Sequence, residues 1–364
     1  MSHEFPRFFM GTSAKNGFCG FPRDLYDSKP NGFAFLLKSG PGTGKSTLLR
    51  SLAAAFSGQG EPVETFACSS DPDSLDGILL PARGVGVFDA TAPHVIEPQT
   101  WGLKEDTVSL GGALDRARLT ERQEEIDHAA AQNAAAHARA KRLLAGVSEL
   151  RADRETLAAT ALDRAKVAAV AARLEKTEFS APSRPCRIVG AERRFLSAVT
   201  PKGLLSYPET IPLLCPRTVA LDDPAAVAAK AVLEALFAAA NAKNLPVILC
   251  PDPLSPDTPA HLLLPSLGVA FVTVGDRFSP VDPTRTLHLK RCYDEGRLRS
   301  HKNRTAFDKK AERTLLKAAV ECLADAKKSH DLLEIPYKSA MNFEKIETVK
   351  TALYQRISAF PTQP

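Results

Sequence analysis

The sequence predicts a duplicated α/β chain, each copy a sheet-and-helix core followed by a helical, coiled-coil-like arm. Three observations carry this. A glycine-rich loop, Gly40-Pro41-Gly42-Thr43-Gly44-Lys45-Ser46-Thr47, sits between an apolar strand-like run, Phe33 to Leu37, and a helix-forming run, Leu48 to Phe56. An alanine-rich segment with interspersed charges follows at about 114–179, and the chain again reads as helical, with a break at Pro336, at about 305–358. Short identities recur in a common order between the two halves.

The loop matches G-x-x-x-x-G-K-[ST], a pattern with a mechanical meaning. Glycines let backbone N–H groups turn inward around phosphate oxygens, the lysine reaches the β- and γ-phosphates, and the next hydroxyl binds Mg²⁺. The helix behind it directs its N-terminal partial charge at the same anion. Gly40 to Thr47 are therefore the expected nucleotide-binding residues, with Lys45 on the phosphates and Ser46 on the metal.

The elements around the loop read as follows. Arg7 to Gly20 is a short strand broken by turn residues. Gly58-Gln59-Gly60 ends the helix, Pro62 to Cys68 is a second strand, and Ser69 to Asp76 is a polar loop with three carboxylates. Val85 to Phe88 is a strand ending in Asp89, 44 residues after Lys45. This order suits a three-layer P-loop NTPase-like core. A carboxylate at such a strand end helps to hold Mg²⁺, which makes Asp89 the second metal residue. Residue 90 is Ala, so the glutamate that often activates water there is missing. Asp71, Asp73 and Asp76 leave the strand edge where ligands bind and are the candidate bases, with Asp71 taken as catalytic beside Lys45 and Asp89. Thr91, His94 and Glu97 follow the same edge as candidate γ-phosphate sensors.

At 364 residues, two domains are expected. Apolar content of 44% and charged content of 24% fit a water-soluble chain, and no apolar run reaches the ~18–20 residues of a membrane span. A formal net charge of +5 is too mild to indicate nucleic acid. Seven scattered cysteines without a C-x-x-C pair suit neither a disulfide framework nor a zinc pattern, and with no signal-peptide segment the expected location is cytoplasmic.

In the first arm, Leu119, Ile126, Asn133, Ala140 and Val147 form one heptad register, and Ala129, Ala136, Leu143 and Leu150 the next. A turn or bend is expected around Gly146 to Asp153, with a second helix over Arg154 to Lys176. The arm either carries movement or a protein partner, or packs as a hairpin on its own domain. Ser180 to Pro185 is a Pro/Ser-rich linker. The resulting organisation is 1–112 nucleotide-binding core, 113–179 helical arm, 180–193 linker, 194–300 degenerate core and 301–364 C-terminal arm.

In the repeat, Arg7, Phe8 and Lys15 match Arg194, Phe195 and Lys202 at an offset of 187. Leu52, Ala54 and Phe56 match Leu233, Ala235 and Phe237 at 181, Cys68 matches Cys250, and Leu79 to Val85 match Leu263 to Val269 at 184. In place of the loop stands Leu221-Asp222-Asp223-Pro224-Ala225-Ala226, with Ala226 for the lysine and Thr273 for Asp89. Two carboxylates there repel phosphate. The second core is thus expected to regulate the first, to complete its site with a basic residue such as Arg217, or to stabilise the fold.

The motifs at 40–47, 68–77 and 87–98, with the duplicated second half, resemble an uncharacterised bacterial family of tandem P-loop ATPases. The resemblance covers nearly the whole chain and implies ATP and Mg²⁺ binding on a nucleotide-hydrolase fold. Members often keep a P-loop in both halves, and this sequence departs there. The expected function is an ATPase with one intact site that moves or orders its arms. A small-molecule or nucleotide kinase and a nucleotide-controlled binding switch are the alternatives. The base-reading N-K-x-D of GTPases is absent but nothing positive selects adenine, so ATP is preferred while ATP and GTP both stay open.

Overall fold

Along Phe33 to Leu37 every side chain is buried, with Phe33, Phe35 and Leu37 in one core and Ala34 and Leu36 in another. A strand covered on both faces explains why the run is continuously apolar instead of alternating. The structure, a computed structural model, describes residues 5–362 apart from 30, 181–183, 187 and 276–277. The centre of the expected linker lies outside the described residues.

The first half contains β1 (Arg7–Phe9), β2 (Gly11–Ala14), β3 (Gly17–Gly20), α1 (Asp24–Asp27), β4 (Phe33–Lys38) and α2 (Lys45–Ser57). Then come β5 (Glu64–Ala67), β6 (Leu75–Leu80), β7 (Val85–Asp89), β8 (Glu105–Ser109), α3 (Arg116–Glu121), α4 (Gln123–Ala159) and α5 (Arg164–Glu178). The second half repeats this order. It has β9 (Ala191–Arg193), β10 (Ser197–Thr200), β11 (Gly203–Ser206), α6 (Thr210–Leu214), β12 (Arg217–Asp222) and α7 (Val227–Ala242). β13 (Val247–Asp252), β14 (Ser255–Leu264), β15 (Val269–Val274), β16 (Arg285–His288), α8 (Glu295–Ser300), α9 (Lys302–Ala340) and α10 (Phe343–Ser358) complete it.

The main sheets run β1-β5-β6-β7-β4-β8 and β9-β13-β14-β15-β12-β16, the same order twice. The duplicated α/β reading therefore holds. The strand β6, absent from the sequence reading, pairs antiparallel with both β5 and β7, so each sheet is mixed. The three-layer expectation is corrected. The long helices cover one face of each sheet, and the short α1 and α6 lie on the other. The other faces meet in a shared core that joins Ala34, Leu36, Phe66 and Phe88 to Ile248, Leu263, Ala270 and Val272.

The register of the repeat is also corrected. Leu37 pairs with Asp89 and Leu221 with Thr273, while Thr65 pairs with Ile78 and Leu249 with Leu262. The four central strands of the two sheets thus superpose at an offset of 184. Phe66 (not Cys68) stands at the place of Cys250. At the first strand Arg7 corresponds to Arg193 and Phe8 to Arg194, because both Arg7 and Arg193 pair with equivalent residues of the next strand. Left-handed Gly42 (φ 64°) coincides with left-handed Ala226 (φ 66°), so the residue at the place of Lys45 is Ala229.

The arms settle differently from either expectation. The turn expected near Gly146 is absent, because α4 runs unbroken to Ala159 and the chain reverses at 160–163. In the second half Pro336 lies inside α9, and the break falls at Met341 and Asn342. α4 and α9 pack antiparallel: Asn133 Nδ2 donates to Ala326 O at 2.8 Å near one end, and Arg154 pairs with Glu312 near the other. Ala140, Leu144 and Val147 of α4 form a core with Ala319, Cys322 and Leu323. The terminal helices then cross over. Ile346, Leu353 and Ile357 of α10 bury against Leu49 and Phe56 of the first core, and Val167, Ala171 and Leu174 of α5 against Val232 and Leu236 of the second. The junctions match: Asn342 N donates to Ala113 O, and Asp163 N to Cys292 O, both at 2.8 Å.

Candidate active site

The 40–47 loop connects the C-terminal end of β4 to α2, whose first residue is Lys45. Gly42 and Gly44 both have positive φ (64° and 86°), the conformation that L side chains resist and that lets a loop curl around an anion. Thr43 Oγ1 donates to Gly40 O at 2.9 Å, and Lys45 Nζ reaches back to the same carbonyl at 2.6 Å. β7 lies beside β4, which brings Asp89 to the loop, with its carboxylate 3.6 Å from Lys45 Nζ. Asp89 in turn accepts from Thr91 N at 2.9 Å and from the Thr91 hydroxyl. Ser46 Oγ accepts from Leu75 N at 2.9 Å, tying α2 to the start of β6.

Of the three acidic-loop candidates, Asp76 comes closest to this group. It is buried, and burial together with neighbouring Asp89 pushes its carboxyl up to about 6 against the pull of His94. His94 Nε2 lies 3.1 Å from Asp76 Oδ2. Asp71 accepts from Ser74 Oγ at 2.9 Å and faces Lys327 of α9 at 3.5 Å. Asp73 is exposed and pairs with Lys202 at 2.6 Å. Glu97, turned away, pairs with Lys38 at 2.6 Å and is largely exposed.

The 40–47 loop, Asp71, Asp76, Asp89, Thr91 and His94, but not Asp73 or Glu97, line a cleft of about 730 Å³ that also takes in Cys68, Lys327, His330, Glu334, Lys338 and Phe343. The α9 residues were invisible in the sequence, since nothing local announces that a helix nearly 300 residues away roofs the loop. A Cβ on Gly40 would meet the Tyr337 ring at 2.5 Å, and one on Gly42 would meet Glu334 O at 2.9 Å. Glu334 is held as an anion, with its carboxyl lowered to about 2 first by the hydrogen bond with His330 and then by Lys338. Arg217, expected as a possible contributor from the second core, instead pairs with Glu178 at 2.7 Å. The second half reaches the site through α9.

The equivalent place in the second core is filled from within. Asp223 accepts from Ala225 N at 3.1 Å, from Ala229 N at 2.9 Å and from Tyr293 Oη at 2.9 Å. Ala229 N is the amide at the lysine position, so the chain's own carboxylate occupies the helix N-terminus where a phosphate would lie. No known protein family, curated protein or solved structure matches this chain. No helix among the described residues is long and apolar enough to cross a membrane, and all seven cysteines are free.

Proposed function

We propose that the chain is a P-loop ATPase with one working site, belonging with the tandem ATPases its motifs resemble, and that nucleotide state is coupled to α9. The observation that carries this reading is the 3.6 Å approach of Lys45 to Asp89 at the head of α2, across adjacent parallel strands. The loop amides and the N-terminus of α2 offset phosphate charge, and Lys45 exchanges Gly40 O for phosphate oxygens. Ser46 and Asp89 are the residues that would hold Mg²⁺, whose chemistry is to neutralise charge between the β- and γ-oxygens. Catalysis by this set is electrostatic positioning, with no glutamate at residue 90. Asp71, engaged by Lys327, serves in this reading as a tether between the acidic loop and α9 instead of as the base.

The test is ATP binding and turnover by the wild type and Lys45→Ala. The expected result is a loss of about 10²-fold or more in turnover, the scale for removing one preorganised electrostatic partner. Equal binding and turnover by two folded proteins would remove the assignment. The seating of α9 on Gly40 and Gly42 also favours a second reading, a nucleotide-controlled switch with little hydrolysis. Tight binding with negligible turnover would select it.

A further inference from the structure

Beside the loop lies a cluster to which the proposed nucleotide site assigns no role. Cys68 follows β5, Asp76 is the second residue of β6, and His94 lies in the turn after β7. All three are buried, and one donor atom from each lies within 4.8 Å of the others. The β5–β6 hairpin fixes two of them side by side, since Cys68 N donates to Ser74 O at 3.1 Å. His94 is held by its own N–H to Thr91 O at 2.8 Å and by the edge of the Phe18 ring, 4.5 Å between centroids.

A second observation separates this from an ordinary hydrogen-bonded core trio. Asp76 Oδ2 is buried without a hydrogen-bond partner although His94 Nε2 is only 3.1 Å away, and His94 Nδ1 is likewise buried and unpartnered. Asp76 Oδ2 therefore keeps acceptor capacity that no protein donor fills, beside the His94 imidazole. Ligand atoms around a tetrahedral zinc lie roughly 3.3–3.8 Å apart, a spacing the 4.8 Å cluster reaches by a small closure.

We propose that Cys68, Asp76 and His94 form a binding site for a zinc-class divalent transition ion, separate from the Mg²⁺ that accompanies nucleotide. One thiolate, one imidazole and one carboxylate suit Zn²⁺, whereas Mg²⁺ takes oxygen ligands. Three protein ligands leave a fourth position. All three residues line the cleft that contains Lys45 and Asp89, so that position opens toward the phosphate-binding loop. The ion offsets the charges of thiolate and carboxylate and relieves the repulsion between Asp76 and Asp89. The site stands on these residues whether or not the loop hydrolyses ATP.

The experiment uses the full chain, stripped with a chelator and titrated with Co²⁺ and Zn²⁺. The expected result is one equivalent of Co²⁺ with a thiolate-to-cobalt charge-transfer band and tetrahedral d–d bands, displaced by Zn²⁺. The near-isosteric Cys68→Ser loses the band and weakens Zn²⁺ binding at least about tenfold, Asp76→Asn weakens binding, and Cys19→Ser leaves both unchanged. Lys45→Ala keeps the band while losing nucleotide, so the two readings fail separately. A wild type that binds neither ion stoichiometrically, or a band that survives in Cys68→Ser, overturns the proposal. The wild-type titration decides it even if a variant does not fold.

Discussion

Replacing Asp223 with Ala tests why the second core has no nucleotide loop. The carboxylate is buried and accepts three hydrogen bonds, from Ala225 N, Ala229 N and Tyr293 Oη. Hydrogen bonds to a charged acceptor contribute about 1.5–3 kcal/mol each, but here they are not additive. Tyr293 Oη still accepts from Ala228 N at 2.7 Å but its own proton loses its acceptor, while Ala225 N is near enough to the surface to find water. The uncompensated losses are the buried Tyr293 hydroxyl proton and Ala229 N at a helix N-terminus, so the expected cost is about 3 kcal/mol. The assay is chemical denaturation in a Lys45→Ala background, which removes anion binding at the first loop, with and without inorganic phosphate. Phosphate at about 100 times its dissociation constant returns about 2.7 kcal/mol to Asp223→Ala and leaves the parent unchanged. A cost below about 0.5 kcal/mol, or equal stabilisation of both proteins by phosphate, would refute the idea that Asp223 stands in for an anion.

Two further outcomes are expected. Leu353→Ala, on the crossed-over helix α10, removes a side chain buried against the first core and should cost about 2–5 kcal/mol. Hydrogen exchange would then show α2 deprotected, whereas Leu174→Ala on α5 should deprotect α7 instead; the opposite pairing would contradict the crossover. His261 is buried against the Phe278 ring, 4.2 Å between centroids, and burial lowers its pKa from 6.5 to about 3. Because the folded-state pKa is depressed, stability is intact above pH 6.5 and is lost as the pH falls toward 3. At pH 5 the wild type should have lost about 2 kcal/mol that His261→Phe retains, measured as unfolding free energy against pH.

Much of the first core was legible because its signals are local. The 40–47 pattern requires glycines at fixed places, and Val85 to Asp89 is a continuous apolar run ending in a carboxylate. β6 was missed because Ser69 to Asp76 reads as a turn-rich loop up to the residue where the strand begins. The repeat was found by identities, but its register needed strand pairing. A left-handed alanine at 226 has no sequence signature that sets it opposite Gly42. Pro336 was read as a break, yet α9 continues past it to Ala340, where Arg118 of α3 donates to Ser339 O at 3.0 Å and Asp115 N to Ala340 O at 2.8 Å. The α9 contributions to the cleft were beyond reach because they depend on which helix crosses to which core.

The crossover gives the asymmetry between the copies a physical consequence. The loop that retains its glycines and lysine is roofed by a helix from the half that lost them, and α2 behind it rests on α10 from that same half. Pro336 cannot donate to the carbonyl of Leu332, so α9 lacks a backbone hydrogen bond in the turn just before Tyr337, the residue seated on Gly40. The roof is therefore weakest where it meets the loop. N-terminal to that turn, the helix is anchored along α4 through Asn133, Leu144 and Arg154. Tyr337 and the Glu334–Lys338 pair thus lie against the loop on the turn of α9 that Pro336 leaves one backbone hydrogen bond short. On the far side of Pro336 only one turn of α9 remains before α10, which is bound to the first core. The glycine-rich loop is thus in contact with the second half, whereas the corresponding place in the second core is filled by its own Asp223.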